Sequence, residues 1–387
     1  MNIPKLRFKE FTDDWKTHKL KNICYINPKS SNLNDKFYYI DLECVQYGRL
    51  KYIQCINKLE APSRAQRVLL PQDILFQSVR AYQKNSYFFK KENDIQTVAS
   101  TGYAQLRTKK ELSLYIYYYL YFQKFIDKVN KLSTGTSYPA INSTDLGMIN
   151  INIPSFQEQE KIANFLSTVD KKIENLKNTI TSLENQKKGL LQQIFSQKLR
   201  FKDKNGNNYP NWEKKKLEDI SNITMGQSPD SDFVNTEKIG TPFLQGNAEF
   251  TNKYPIEKYW CTKPQKIANP TDILLSVRAP VGAINIANKK FCIGRGLSAI
   301  SFNCNKLFGK YNLEFNLFQL IKKSQGSTFS SINKKDISEV ILFIPCLEEQ
   351  TKIADFLSAF DRKLDNQKAQ LEHWQQIKKG LLQQMFV

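Results

Sequence analysis

The chain has 387 residues, enough for two or three domains with ordinary cores. A content of 41% hydrophobic, 24% charged and 12% aromatic residues excludes wholesale disorder. The net charge of +20, with 47 lysines and 10 arginines, points to an anionic partner. The longest apolar and aromatic run, residues 112–122, is far short of the roughly 20 residues that cross a bilayer. The opening Met1-Asn2-Ile3-Pro4-Lys5 has no apolar h-region, so a soluble, cytoplasmic chain with no membrane partner is expected. Seven cysteines are scattered and never spaced C-x-x-C, which reads as free thiols and no metal site. His18 and His373 stand beside no candidate nucleophile or acid in the sequence.

Residues 1–154 carry +10 and read as a globule of mixed helix and strand. Leu6-Arg7-Phe8-Lys9 and Trp15 open it. A strand is predicted over 73–76, followed by Val79-Arg80-Ala81, and an amphipathic helix over 110–131. A glycine turn, Gly135-Thr136-Ser137-Tyr138, follows that helix. Residues 155–196 carry only +1. Ser155, with Glu158 three residues on, predicts a capping box. Beyond it Ile162, Leu166, Val169, Ile173, Leu176, Ile180, Leu183, Lys187, Leu190 and Ile194 keep the 4-3 spacing of a coiled-coil seam.

The chain is then written a second time. Residues 197–345 carry +9 and repeat the first globule's landmarks: Leu199-Arg200-Phe201-Lys202, Trp212, strands over 272–275 and 298–302, Val277-Arg278-Ala279, a helix over 310–323 and the turn Gly326-Ser327-Thr328-Phe329. Residues 346–387 carry no net charge. Residues 153–196 align on 344–387 without a gap, 22 of 44 identical. The second seam reads Ile353, Leu357, Phe360, Leu364, Gln367, Leu371, Trp374, Lys378, Leu381, Met385. Lys187 and Lys378 interrupt the two seams at the equivalent place, either fixing register or snorkelling at frayed ends. The predicted fold class is α+β. Two similar globular domains, 1–154 and 197–345, are joined by two long helices, 155–196 and 346–387, forming an antiparallel coiled coil. The internal repeat is pseudo-two-fold, related as the halves of a dimer are.

Catalytic signatures are missing. No G-x-x-x-x-G-K-[ST] loop, G-x-S-x-G elbow or H-E-x-x-H pair occurs. Asn27-Pro28-Lys29 and Asn269-Pro270-Thr271 lack the second proline of an amino-methyltransferase tetrapeptide. The matched acids, Asp73 with Asp272 and Asp145 with Asp336, stand apart from any second acid. No catalytic residue is assigned, and the chain is not expected to be an enzyme or to hold a cofactor or metal.

Recognition chemistry remains. Arginine reads guanine through a bidentate fork, and both copies keep one after the same strand, Arg80 and Arg278. Either they contact DNA, or they are surface arginines salt-bridged to the fold. The turns Gly135-Thr136-Ser137-Tyr138 and Gly326-Ser327-Thr328-Phe329 offer amide and hydroxyl donors for phosphate, or simply stop a helix. In the second globule Gln227, Ser228, Gln245 and Asn247 place amides and a hydroxyl on glycine-rich loops, where Gln and Asn could read adenine. Tyr47, Arg49 and Arg295, on similar loops, complete the candidate DNA-binding set.

The segment Ile-Pro-x-x-x-Glu-Gln-x-x-Ile-Ala-x-Phe-Leu occurs at 153–166 and 344–357, and both helices close on Lys-Lys-Gly-Leu-Leu-Gln-Gln. Over its whole length the chain resembles the specificity subunits of type I restriction–modification enzymes. The resemblance implies that each globule is a target-recognition domain reading half of a bipartite site in double-stranded DNA. It implies that the helices space these domains and bind two methyltransferase subunits, to which motor-nuclease subunits attach. Glu158, Gln159, Ile162, Phe165, Glu349, Gln350, Ile353 and Phe356, within the shared segment, are the candidate partner-binding residues. S-adenosylmethionine, ATP and Mg²⁺ would belong to the partner subunits, for site-specific adenine methylation and ATP-dependent DNA cleavage. Two rival readings are a similar subunit serving one fused restriction-methyltransferase, and a coiled-coil adaptor that binds no DNA; the charge of the globules speaks against the second.

Overall fold

The structure, a computed structural model, describes residues 3–91, 94–251, 253–325 and 331–387. Contacts divide the chain into two units: Met1–Asn178 with Ala369–Val387, and Thr179–Lys368. Each unit holds one globule and a stretch of both long helices, Phe156–Phe195 and Leu347–Gln384.

In the first unit, Lys16–Lys19 pairs antiparallel with Asn150–Ile153, so the globule closes where the long helix begins. A four-stranded sheet follows the order Cys24–Ile26, Tyr103–Thr108, Ile74–Gln77, Tyr87–Phe88. A second sheet runs Gln54–Asn57, Lys36–Ile40, Thr97–Ser100, Ala65–Val68, its middle pair parallel. The predicted strand 73–76 is found as Ile74–Gln77, buried throughout. Side chains alternate across a strand. Accordingly Ile74 and Phe76 enter the larger core with Leu106 and Tyr115, while Leu75 enters a smaller one with Ile40 and Tyr103.

The amphipathic helix expected over 110–131 is instead two helices, Ser113–Tyr119 and Gln123–Leu132. The chain tightens at the join, where Tyr121 and Phe122 donate to the carbonyls of Tyr118 and Tyr119. That kink lets Tyr119 and Phe122 both face Phe386, at 5.4 and 6.2 Å between ring centroids.

The second unit repeats this architecture. Glu213–Lys216 pairs with Ile341–Ile344. One sheet runs Ser221–Met225, Leu297–Phe302, Ile273–Ser276, Ile284–Ile286, the same order as its counterpart. The other runs Val234–Asn235, Tyr259–Cys261, Thr241–Leu244, Phe291–Ile293, Ile267–Ala268, one strand more than its counterpart. Here the globule's helix, Lys306–Gln325, is unbroken.

Within each unit the long helices run antiparallel. In the first, Leu382, Met385 and Phe386 join Ile162, Ala163 and Leu166 in one core, and Lys378 pairs with Asp170 further along. In the second, Ile194 and Phe195 join Ile353, Ala354 and Leu357, with Lys187 on Asp361 and Lys368 on Glu184 further along. The first helix's seam is buried from Ile162 through Leu183 and again at Ile194. Leu6 N–H donates to Gln384 O at 2.8 Å in the first unit; Leu199 N–H donates to Gln193 O at 3.0 Å in the second.

The predicted capping box is half formed. Glu158 N–H donates to Ser155 Oγ at 3.3 Å, but the Glu158 carboxylate turns away to Arg7. Among the described residues no helix is long and apolar enough to cross a membrane.

Candidate nucleic-acid interface

In both globules the strand that precedes the matched arginine is interior to its sheet, and in the first its end is stapled to the glycine turn. Arg80 N–H donates to Pro139 O at 2.7 Å, and Ile141 N–H donates to Ser78 O at 3.1 Å. In the second, Arg278 bridges Ser331 and Ile332 N–H donates to Val277 O at 3.0 Å, one residue further along than the Val79–Ala140 bridge of the first. The fold thus brings Arg80 together with Gly135, Thr136, Ser137 and Tyr138. Gly135 has φ +96°, and a Cβ there would lie 3.3 Å from Tyr138 O, so the turn requires glycine. Gly326, Ser327, Thr328 and Phe329 lie outside the described residues.

Arg80 makes no ion pair among the described residues. Its guanidinium stacks over the exposed Tyr138 ring at 4.1 Å, Nη2 donates to Ser137 O at 3.4 Å, and Nε has no partner among the described residues. Among the described residues no carboxylate makes Arg80 a salt-bridged surface arginine. Arg278 is exposed and likewise has no carboxylate in ion-pair range among the described residues. Stacked or free guanidiniums retain donors for a nucleic acid.

The second globule gathers its other candidates by close backbone approach. A Cβ on Gly226 would lie 2.1 Å from Gly294 O, and one on Gly296 would lie 2.7 Å from Gln245 O. Three loops therefore meet, bringing Gln227, Ser228, Gln245 and Arg295 to one edge, with Asn247 two residues beyond Gln245. Arg295 N–H donates to Ser228 Oγ at 3.3 Å, while the side chains of Gln227, Gln245 and Arg295 are exposed. Beside them opens a cleft of about 560 Å³ lined by Ser228, Asn235, Glu237, Phe243, Gln245 and Tyr259.

Two groups of candidates are placed differently from expectation. Arg49 ion-pairs with Glu174 of the first long helix, so its charge ties a hairpin to that helix; Tyr47 beside it stays exposed. Of the eight partner-binding candidates, Glu158, Gln159, Ile162, Glu349, Gln350 and Ile353 are buried within the chain itself. Glu158 takes Arg7 Nε at 2.8 Å and Nη2 at 2.9 Å. Glu349 takes Arg200 Nη2 at 2.7 Å and the Trp212 indole at 3.0 Å. These carboxylates raise the pKa of both arginines. Gln159 accepts from Leu112 N–H, and Gln350 from Asn305 N–H, each at 3.1 Å. The shared Glu-Gln pair is thus a clamp of globule onto helix, with no surface left for a partner. Phe165 and Phe356 alone remain open, at 40% and 38% exposed.

The matched acids are likewise structural. Asp73, buried, accepts from Leu70 N–H, Gln105 and Arg107; Asp272 accepts from Asn269 N–H and Ser301. Asp145 and Asp336 sit in helix caps with Asn142 and Asn333. Among the described residues no His, Cys, Asp and Glu cluster could hold a metal. Arg67 is half-buried, its pKa lowered by burial and its Nε without a partner among the described residues. Nothing in the sequence singled it out.

The family described as type I restriction modification DNA specificity domain matches residues 12–185 and 209–373, one match on each repeat. The chain belongs to that family. Over 98% of its length it is 31% identical to a putative type I restriction enzyme MjaX specificity subunit of Methanocaldococcus jannaschii, covering 95% of that protein. The MjaIX specificity subunit of the same organism is 23% identical over 83% of the chain and 81% of that relative. A chain solved in work on assembly and conformational transition of the type I R-M system is 28% identical, with a TM-score of 0.64 and coverage of 96% and 97%. The type I S subunit from M. genitalium shares the fold at 17% identity, TM-score 0.62, covering 100% of this chain and 99% of that one. The protein is a type I specificity subunit, the DNA-recognising and non-catalytic component of its system.

Proposed function

We propose that each globule of this specificity subunit, residues 1–154 and 197–345, is an independent reader of one half of a bipartite site in duplex DNA. The observation that carries the reading is the duplicated arginine at the end of an interior strand, with no carboxylate in ion-pair range among the described residues in either copy. Tyr138, Ser137 and Thr136 beside Arg80, and Gln227, Gln245 and Arg295 in the second globule, are the further contacts. The long helices set the distance between half-sites and dock two methyltransferase subunits, for which Phe165 and Phe356 are the open candidates. S-adenosylmethionine, ATP and Mg²⁺ belong to the partner subunits, which methylate adenine or cleave DNA in the cytoplasm.

The test is exchange of residues 1–150 for the matching globule of a relative, read out by sequencing modified adenines in cells carrying the partner subunits. One half-site should change and the other persist. If both halves change together, the globules are not independent readers.

A further inference from the structure

The seams of the long helices are interrupted by Lys187 and Lys378, equivalent positions of the repeat. In the first unit Lys378 Nζ lies 2.6 Å from Asp170 Oδ1, and Tyr118, on a helix of the globule, donates to Asp170 Oδ2 at 2.9 Å. In the second, Lys187 Nζ lies 2.6 Å from Asp361 Oδ1, and Tyr311 donates to Asp361 Oδ2 at 2.7 Å. Asp170 and Asp361 are equivalent in the repeat. The tyrosines are equivalent too, each six residues beyond the amide, Leu112 or Asn305, that binds the clamp glutamine. The lysines also lie 5.8 and 5.3 Å from the tyrosine ring centroids.

Each node therefore joins three elements of its unit: the first long helix, the second, and the globule. The lysine side chains are only 23% and 19% exposed at positions where an apolar residue would fill the seam. The pairs are partly buried, their aspartates 31% and 27% exposed; such a pair gains little over well-packed apolar groups, but separating its partners leaves a partly desolvated charge. Polar groups at a seam accordingly specify position more than they stabilise. Apolar surfaces tolerate sliding; a carboxylate holding both an ammonium and a phenol does not. Burial, followed by the neighbouring aspartate, pushes both tyrosine hydroxyls well above the ordinary phenol range, so they stay donors.

We infer that Tyr118, Asp170 and Lys378, and Tyr311, Asp361 and Lys187, are positioning residues for DNA reading: each node fixes how its globule is held on the helix pair, and hence the spacer length the subunit accepts. The inference rests on the bipartite reading proposed above. The first variant combines Tyr118→Phe with Tyr311→Phe, removing two oxygens and little else; the second combines Asp170→Asn with Asp361→Asn. Modified-adenine sequencing in cells with the partner subunits gives the motif, and thermal unfolding of the purified chain checks the fold. The half-site sequences should be unchanged, while preference for the native spacer over one a base pair longer or shorter falls by about tenfold. Lys187→Arg with Lys378→Arg, which keeps both charges and donors, should retain the preference. Undiminished spacer preference in either folded variant overturns the inference, as does an equal loss of modification at every spacer. A wild-type motif that is not bipartite would fail the functional reading instead, and that outcome appears in a different arm.

Discussion

Trp212 donates its indole N–H to Glu349 Oε2 at 3.0 Å, inside the clamp that holds the second globule on its helix. Its repeat counterpart, Trp15, is also buried, yet its N–H has no partner among the described residues. One duplicated tryptophan is thus satisfied and the other is not.

That asymmetry predicts unequal costs. Trp212→Phe and Trp15→Phe remove the same ring volume, so their difference isolates the hydrogen bond to a buried carboxylate. Trp212→Phe should destabilise the chain by about 1–3 kcal/mol more than Trp15→Phe does. Denaturant unfolding of both variants measures it, and equal losses would refute the assignment.

Arg80 and Arg278 are expected to be separable in DNA binding. Each alanine variant should weaken binding to duplex carrying the bipartite site by about 1–3 kcal/mol if it forks onto a base. A phosphate contact would instead lower the salt slope by about one unit, whatever the sequence. Titration at several salt concentrations distinguishes the two. Affinity and slope both unchanged, in folded variants, would return these arginines to a structural role.

The repeat, the long helices and their seam were legible because identity and a 4-3 period are local signals. Sheet order was not, because Lys36–Ile40 pairs in parallel with Thr97–Ser100 across a long stretch of intervening chain, and no local pattern records that partner. The kink that splits Ser113–Tyr119 from Gln123–Leu132 was not legible either, and the ring packed against it, Phe386, arrives from the far end of the sequence. At the site, the shared Glu-Gln pair was found and its role misread. A clamp within the chain and a dock for a partner leave the same repeated motif, and only burial separates them. Arg49 shows the same limit, since Glu174 lies on another element.

Removing one heptad from both long helices, residues 173–179 and 364–370, should change spacing without changing the bases read. The deletion spares Asp170 with Lys378 and Asp361 with Lys187. It shortens each helix by about 10 Å, or roughly three base pairs at 3.4 Å. Three base pairs turn DNA by about 100°, whereas a heptad turns a straight helix by only about 20°. Modification at the original spacer should therefore be lost, and modified-adenine sequencing reads this directly once methyltransferase binding is confirmed. Full modification at the unchanged spacer would show that the helices do not set the distance.

The hydrogen bonds from Leu6 to Gln384 and from Leu199 to Gln193 occupy the same place in the two units. At one of them the backbone runs on from helix into globule; at the other two remote stretches of polypeptide merely meet. Both junctions nevertheless have the same contacts: a buried phenylalanine, an arginine on a glutamate, and a backbone amide on a glutamine carbonyl. These three contacts therefore do not depend on the peptide linkage at residues 196–199. What it supplies is effective concentration, keeping the second globule always within reach of its helix end.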